Sequence, residues 1–265
     1  MKKYAFHLQV DETFEAPVRG HAFLLRCMPG TYPFQRSYAN RLNVRPFTAL
    51  TYVSDVFGNE MYTGTIDKAH DKFSFSASGF VLAAKYLTHE PLDRLYLYPT
   101  RFTRADDAML RLLASAGLPE DDWQRAEALC SLVSGLLTKT DNTESRTAAD
   151  ALSAGVGTPR DFAHLYLTLC RQAGLAARYV SGLAAGIDVF HAWVEVYCGG
   201  VWRALDPFTG CPVEDGYLKI AHGPDSDSCD PERSFHREQF TPASRTVQVS
   251  VTEHVILTRD TVPHA

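Results

Sequence analysis

The hydrophobic pattern of this chain changes its period near residue 95, and that change limits the folds it can adopt. Apolar and polar residues alternate, as in half-buried strands, over residues 4–10, 21–27, 47–56, 61–66 and 72–82. Phe57-Gly58-Asn59-Glu60 lies between two of these segments and is typical of a hairpin turn. Short strands punctuated by proline and glycine predict a β-sandwich-like module at the start of the chain.

Helical spacing follows this module. Apolar residues recur every three to four positions over residues 106–116 and 121–137, and further helices are predicted over 148–154 and 158–173. Strand patterns return over residues 177–183, 189–197, 201–205 and 246–258, with a polar loop over 222–238. This order predicts an α+β protein. We divide it into an N-terminal β-rich domain (1–90), a core (91–245) and a C-terminal strand and tail (246–265).

Composition excludes several classes of protein. The 265 residues are 45% hydrophobic, as in a globular chain, and the formal net charge is −5 without any block of basic residues, so nucleic-acid binding is not expected. No run approaches the roughly 20 apolar residues that span a bilayer, and the N-terminus predicts a strand and not a signal peptide. Six cysteines without C-x-x-C spacing indicate reduced thiols. We therefore expect a cytoplasmic protein that contacts no membrane.

Two residues in the second half of the chain form a candidate catalytic pair. If Gly199-Gly200 is a two-residue turn, the flanking strands pair symmetrically about it and Asp206 lies opposite Trp193. Since side chains alternate between faces, His191 and Asp206 become diagonal neighbours on the face that also carries Glu195. A carboxylate beside an imidazole is the orienting half of a nucleophilic triad. It is also a common structural link between strands, and the spacing alone leaves both interpretations open.

Four spaced motifs carry a family resemblance: GVGTPRDFAHL at 155–165, ARYVSG at 177–182, HAWVEV at 191–196 and WRALDP at 202–207. Together they resemble the bacterial transglutaminase-like proteins of the papain-like cysteine protease superfamily. The β-rich start, with its DVFGN turn at 55–59, resembles the domain that precedes the transglutaminase core in this family. The resemblance extends over about residues 1–240. It implies a transglutaminase-like, papain-like core in which helices pack on an antiparallel sheet.

The resemblance also implies a Cys-His-Asp triad, with the thiol at a helix N-terminus where the dipole lowers its pKa. His191 and Asp206 match the family's histidine and aspartate. The position that matches the cysteine is Pro159, which has neither a nucleophile nor the backbone N–H that such enzymes use in the oxyanion hole. Pro159 instead suits a helix start, because Thr158 is a good N-cap and Asp161 follows in the first turn.

Other residues are weak substitutes for the missing thiol. The Thr158 hydroxyl is expected to be engaged in capping. Cys170 lies eleven residues along the same helix, about 16 Å away at 1.5 Å per residue. Cys198 and Cys211 lie near the predicted site, but nothing in the sequence places either opposite His191.

The remaining candidate residues favour structural roles. His164 is expected to be a packed, hydrogen-bonded helix histidine, and Glu195 part of a polar cluster. Neither a metal nor a cofactor is expected, because no ligand-spaced motif supports one at His191 and Asp206 or in the acidic segment 222–230. That segment is predicted to be a solvated loop. In position it resembles the family's Gly-Arg-Asp loop, with Pro224 in place of the arginine.

The leading hypothesis is a transglutaminase-like pseudoenzyme, of cysteine protease or amidase descent, that has lost its nucleophile. Thr158, Asp161 and Trp193 would then help to form a cleft that binds a peptide or another protein. The alternative is an active cysteine-type hydrolase or acyl-transferase that uses His191 and Asp206 with a different nucleophile. A third hypothesis is a purely structural protein with a closed cleft. The sequence identifies no substrate and no oligomeric state.

Overall fold

The computed structural model describes residues 1–236 and 242–254. Its N-terminal region is built almost entirely from strands: β1 (Lys2–Val18), β2 (His21–Leu25), β3 (Gln35–Arg45), β4 (Thr51–Ser54), β5 (Glu60–Ile66) and β6 (His70–Ala83). The hairpin between β4 and β5 turns at residues 55–59, as predicted. The mostly-sheet character of this region is confirmed.

Helices make up the next part of the chain: α1 (Asp107–Ser115), α2 (Asp122–Leu136), α3 (Ala148–Ala154) and α4 (Pro159–Gln172). The side chains of Asp106, Asp121 and Thr147 cap the first three helices by accepting a backbone N–H from the first turn. Strands β7 (Thr138–Lys139) and β8 (Val156–Gly157) form a short parallel pair beside them. None of the helices in the described part of the chain is long and apolar enough to cross a membrane.

A five-stranded antiparallel sheet packs against α4. Its strands are β9 (Ala177–Ala184), β10 (His191–Cys198), β11 (Val201–Asp206), β12 (Cys211–Pro212) and β13 (Tyr217–Gly223), in the order β12-β11-β10-β9-β13. Every residue of β9 is buried because α4 covers one face of the sheet and aromatic residues of the N-terminal region cover the other. Helices on an antiparallel sheet are the predicted core, and the α+β class is confirmed.

The last two strands of the chain return to the N-terminal region. β14 (Glu232–Phe235) pairs with β2, and β15 (Pro242–Glu253) pairs with β1. The two N-terminal sheets therefore have the orders β15-β1-β6-β3 and β14-β2-β5-β4. Both strands complete the first module, although the sequence assigned them to the core and the tail. Of the predicted strand 246–258, residues 255–258 lie outside the described residues.

Two of the longer strands, β3 and β13, were not predicted because irregularities interrupt their alternation. β3 is mostly polar, and its pairing with β6 shifts between Tyr38 and Arg41, where Ala39 has a φ of 53°. β13 contains a buried lysine, Lys219, and its pairing with β9 shifts directly after it. In both strands the period-2 pattern is broken by a bulge, so the sequence pattern does not reveal the strand.

The structure contradicts the polar loop predicted over residues 222–238, as far as it describes them, and the solvated loop predicted within it at 222–230. β13 continues to Gly223, a 3-10 turn spans Ser226–Ser228, and β14 begins at Glu232. His222, Asp225, Ser226 and Cys229 are all buried. Their polar groups bond to protein: the His222 amide donates to Asn59, and the Ser226 amide donates to His164. These long-range partners replace water, and the segment therefore packs despite its polar composition.

A buried polar network joins the N-terminal region to the core sheet. Glu195 Oε1 accepts hydrogen bonds from the Tyr86 hydroxyl at 2.7 Å and from Lys219 Nζ at 2.8 Å, and the other carboxylate oxygen is paired with Arg178. Gln35 of β3 accepts from the Lys219 amide at 2.8 Å and donates to the Lys219 carbonyl at 2.8 Å. Glu195 is thus part of a polar cluster, as predicted, and that cluster fixes the β10 strand on which His191 lies.

Candidate functional site

The site begins at the N-terminus of α4. Thr158 is the N-cap and Pro159 is the first helical residue. Asp161, which is 1% exposed, accepts hydrogen bonds from the Thr158 backbone N–H at 2.9 Å and from the Thr158 hydroxyl at 2.7 Å. The only hydroxyl next to Pro159 in sequence is thus engaged at the helix start, as expected. Asp161 holds this terminus through its hydrogen bonds and is not among the residues that line the cavity next to Pro159, in contrast to the prediction that it lies in the cleft.

The second part of the site is the His191–Asp206 pair. β10 and β11 pair in the predicted register, with Val194 opposite Leu205, so Asp206 falls beside the strand position of Trp193. His191 Nε2 lies 2.8 Å from Asp206 Oδ2. Asp206 also accepts hydrogen bonds from the Tyr217 hydroxyl at 2.8 Å and the Phe208 amide at 2.9 Å. Tyr217 is a member of the site that the sequence analysis missed, because it comes from the unpredicted strand β13.

The electrostatics of this pair fix the tautomer of His191. Burial opposes the charged form of Asp206, but the hydrogen bond and charge of His191 and the Tyr217 hydroxyl hold the pKa of Asp206 below its ordinary value. An ionised carboxylate only accepts hydrogen bonds, so His191 donates through Nε2–H. His191 Nδ1 is then the nitrogen without a proton in the neutral ring. It is buried and has no hydrogen-bond partner among the residues that the structure describes.

A cavity of ≈ 750 Å³ joins the two parts. Thr158, Pro159 and His191 line it together, and Phe208 lies between His191 and the helix with its ring 5.9 Å from the imidazole. Its other walls come from β9, from the turn between β9 and β10, from the segment before β14 and from β15; they include Tyr179, Ser181, Ile187, Asp188, Val189, Cys229, Asp230, Pro231 and Val247. The volume is typical of a ligand pocket.

Trp193 is placed differently from the prediction. It is fully buried, and its indole N–H donates to the Tyr86 hydroxyl at 3.0 Å. It shares a strand face with His191, as expected, but that face is covered at Trp193 by Phe34 and Tyr86 of the N-terminal region. Trp193 therefore supports the imidazole from behind and does not line the cavity.

The cysteines considered as substitutes lie elsewhere. Cys170 and Cys198 are buried, while Cys211 is exposed beside Thr209 on β12. Cys229, which the sequence analysis did not consider, is the cysteine that lines the cavity. Its Sγ lies 3.9 Å from the Tyr179 carbonyl oxygen, and burial raises the pKa of its thiol well above the usual value. No motif spacing marks this residue in the sequence.

His164 is a packed helix histidine, as expected. Its ring stacks on Phe102 with centroids 5.3 Å apart, and its Nε2 accepts the Ser226 amide at 3.3 Å. Burial lowers the pKa of His164 to about 3, with a further contribution from Arg160. Within residues 1–236 and 242–254, no group of three His, Cys, Asp or Glu side chains is arranged to hold a metal ion.

A buried helix whose N-terminus shares a cavity with a histidine–aspartate pair on an antiparallel sheet is the arrangement that the resemblance to transglutaminase-like, papain-like proteins implies. Comparison with known families agrees with this geometry. Residues 113–207 match the transglutaminase-like superfamily, and residues 4–82 match the bacterial transglutaminase-like N-terminal region. The chain thus carries a transglutaminase-like core behind a bacterial transglutaminase-like N-terminal region.

Individual proteins are similar to this chain in fold or in part of its sequence. A solved structure, a putative cysteine protease from Cytophaga hutchinsonii, shares the fold with a TM-score of 0.81 and 21% identity over 99% of this chain and 93% of that chain. An uncharacterized protein of Mycobacterium leprae (strain TN) is 35% identical over 86 residues, which is 29% of this chain and 30% of that protein. An uncharacterized protein of Mycobacterium tuberculosis (strain ATCC 25618 / H37Rv) is 33% identical over 102 residues, 32% of each. The chain thus matches about a third of the length of these mycobacterial relatives.

Proposed function

We propose that this chain is a non-catalytic transglutaminase-like protein, of cysteine protease or amidase descent, whose cleft binds a peptide segment. The observation that carries the proposal is that Pro159 is the first residue of α4 and lines the same cavity as His191. By the family resemblance, this is the position of the nucleophilic thiol. A proline there supplies no attacking atom and no backbone N–H to stabilise an oxyanion.

The state of His191 supports the same proposal. In a cysteine hydrolase, one imidazole nitrogen is held by the carboxylate and the other accepts the thiol proton. His191 keeps the first interaction with Asp206, whereas its Nδ1 has no partner in the described part of the chain. A buried nitrogen without a partner is costly, and its persistence is consistent with a thiol that was lost and not replaced.

The buried thiols of the chain offer no activated substitute. Burial raises the pKa of Cys130 to about 12 and that of Cys198 to about 11, and it also raises the pKa of Cys170 and of Cys229 well above the ordinary value of a thiol. A raised pKa leaves little thiolate at neutral pH. These values oppose the alternative of an active hydrolase that uses another cysteine.

The walls of the cavity suit a short peptide. Apolar side chains such as Ile187, Val189 and Phe208 line the cavity together with the polar groups of Thr158 and Asp230. Apolar walls with a few polar groups are typical of ligand pockets. Since the pocket is bounded by strands β9, β10 and β15, an extended segment is the ligand shape that it favours.

The experiment uses a fluorescein-labelled peptide containing glutamine, with two readouts on the same samples. Fluorescence anisotropy measures binding, and ammonia release measures amide hydrolysis. Val189→Trp fills the cavity, and Val56→Trp is a matched control, because Val56 is 93% exposed on the turn before β5. We expect binding by the wild type and by Val56→Trp, loss of binding in Val189→Trp, and no ammonia release from any of them.

Two results would overturn the proposal. Ammonia release that disappears in His191→Ala would establish an active enzyme with a different nucleophile. Failure of the wild type to bind any member of a peptide panel of varied sequence would instead support a purely structural role for the core.

A further inference from the structure

One wall of the cleft is attached at both of its ends to the N-terminal region. This wall is the segment 222–231, and its residues that line the cavity are Ser226, Cys229, Asp230 and Pro231. At its start, the His222 amide donates to Asn59 Oδ1 and the His222 carbonyl accepts from Asn59 Nδ2, both at 2.8 Å. At its end, the Pro231 carbonyl accepts from the Arg26 backbone N–H at 2.7 Å.

The side chain of Asn59 bonds to β13 as a neighbouring strand would. β13 is an edge strand of the core sheet, so the backbone groups on its outer side have no strand to pair with. A carboxamide carries both an acceptor and donors, and here it satisfies the N–H and the C=O of the same residue, His222. Asn59 is fully buried. Loss of its carboxamide would therefore leave two backbone groups without their partner inside the protein.

Asp55 links the two points of attachment. Its Oδ1 accepts the Asn59 backbone N–H at 2.9 Å, and its Oδ2 accepts Asn59 Nδ2 at 3.0 Å. Arg26 Nη2 donates to the same Oδ2 at 3.2 Å, and the side chains of Arg26 and Asp55 are only 8% and 11% exposed. A charge-assisted hydrogen bond is strong in such surroundings. One carboxylate thus connects the residue at the start of the wall with the residue at its end.

We propose that Asn59 is a positioning residue for the cleft, and that together with Asp55 and Arg26 it clamps the wall 222–231 in place. Asn59 and Asp55 come from the hairpin between β4 and β5, and Arg26 directly follows β2. The N-terminal region therefore sets the position of one side of the cleft, although none of residues 1–90 lines the cavity. The clamp does not rest on the proposed peptide binding.

Between its two ends the wall bonds to the core. The Ser226 amide donates to His164 Nε2 at 3.3 Å, and the Ser181 hydroxyl donates to the Cys229 carbonyl at 2.8 Å. Cys229 is fully buried, with its Sγ 3.9 Å from the Tyr179 carbonyl oxygen of β9. Its thiol becomes accessible to a reagent when the wall moves away from β9. Cys229 is therefore a natural reporter of the clamp.

Alkylation of Cys229 by iodoacetamide, located by peptide mass spectrometry, tests the clamp. Cys170 of α4 is also fully buried and reports opening of the whole core. Asn59→Leu keeps a branched side chain but can bond to neither backbone group of the wall. We expect this variant to raise the ratio of the alkylation rate at Cys229 to that at Cys170 by more than about tenfold over the wild type.

Two matched variants separate the clamp from a general loss of packing. Gln35→Met also removes two hydrogen bonds between a buried amide and the β13 backbone, but at Lys219, which precedes the wall. It should raise the ratio less than Asn59→Leu does. Asn43→Leu makes the same replacement as Asn59→Leu at an exposed position of β3, and it should keep the ratio of the wild type.

A rise of less than about tenfold in Asn59→Leu would overturn the proposal, because the wall would then open only with the core. An equal or larger rise in Gln35→Met would also overturn it, since any loosening of β13 would then expose Cys229. If Asn59→Leu fails to fold, amide hydrogen exchange in the wild type decides. The amides of Arg26, Asn59 and His222 all donate within the clamp, so their protection factors should lie within about fivefold of one another, and a wider spread would contradict a single clamp.

Discussion

His191 Nε2 and Asp206 Oδ2 lie 2.8 Å apart with both side chains fully buried, while His191 Nδ1 has no partner in residues 1–236 and 242–254. Asp206 is held in turn by Tyr217 and by the Phe208 amide. The pair is therefore oriented as in a catalytic triad and is also tied into the core sheet. The hydrogen bonds of Asp206 to the core sheet give the pair a structural role beside Pro159, because loss of the pair would destabilise β10 and β11.

Asp206→Ala tests how much this pair contributes to the stability of the fold. The substitution leaves the His191 Nε2–H, the Tyr217 hydroxyl and the Phe208 amide without their acceptor, and we expect the free energy of unfolding to fall by about 3 kcal/mol or more. Urea denaturation measures the change. Asp188→Ala, at an exposed residue of the same cavity, is the control and should change the free energy of unfolding by no more than about 0.5 kcal/mol. Equal losses in the two variants would show that Asp206 is not part of the core framework.

Glu195→Gln tests the network that fixes β10. The variant leaves Lys219 buried without its carboxylate and leaves Arg178 with Glu90 alone, and breaking a buried pair of this kind costs about 3–5 kcal/mol. Burial opposes ionisation of Glu195, but Arg178 and Lys219 hold its pKa below the ordinary value. The stability that Glu195 contributes is thus present above its unfolded pKa of 4.5 and is lost as the pH falls below it.

Thermal unfolding of the wild type and Glu195→Gln at a series of acidic pH values measures this effect. The wild type should lose stability on acidification more steeply than the variant does. Glu253→Gln, at an exposed carboxylate paired with Lys2, should keep the slope of the wild type. Identical slopes for the wild type and Glu195→Gln would contradict an ionised Glu195.

The predictable parts of this site are those that local geometry determines. A two-residue turn at Gly199-Gly200 sets the register of its hairpin, and the register alone brings His191 to Asp206. The start of α4 could likewise be predicted from the sequence, because capping and the position of proline depend on neighbouring residues. Both features follow from residues close in sequence or joined by a short turn.

The parts that were not predictable depend on distant partners. Trp193 is covered because Tyr86, 107 positions earlier, bonds to its indole nitrogen. Cys229 lines the cavity because the segment around it is buried by contacts with β9 and with Asn59 of the hairpin between β4 and β5. Local periodicity likewise does not predict that β15 pairs with β1, since alternation identifies a strand but not the strand beside it.

The most direct test of the account is the thiol pKa of Pro159→Cys, measured from the rate of iodoacetamide alkylation against pH. Pro159→Ser supplies the background from the native cysteines, of which Cys211 is the exposed one. If position 159 is the position of the lost nucleophile, the new thiol lies at the N-terminus of α4, in the cavity that His191 also lines, and His191 Nδ1 has no partner in the described residues that would compete for it. Its pKa should then fall well below the ordinary value of about 8.5, and His191→Ala should reverse the change. An ordinary thiol pKa that His191→Ala leaves unaltered would contradict the account and assign the His191–Asp206 pair a purely structural role.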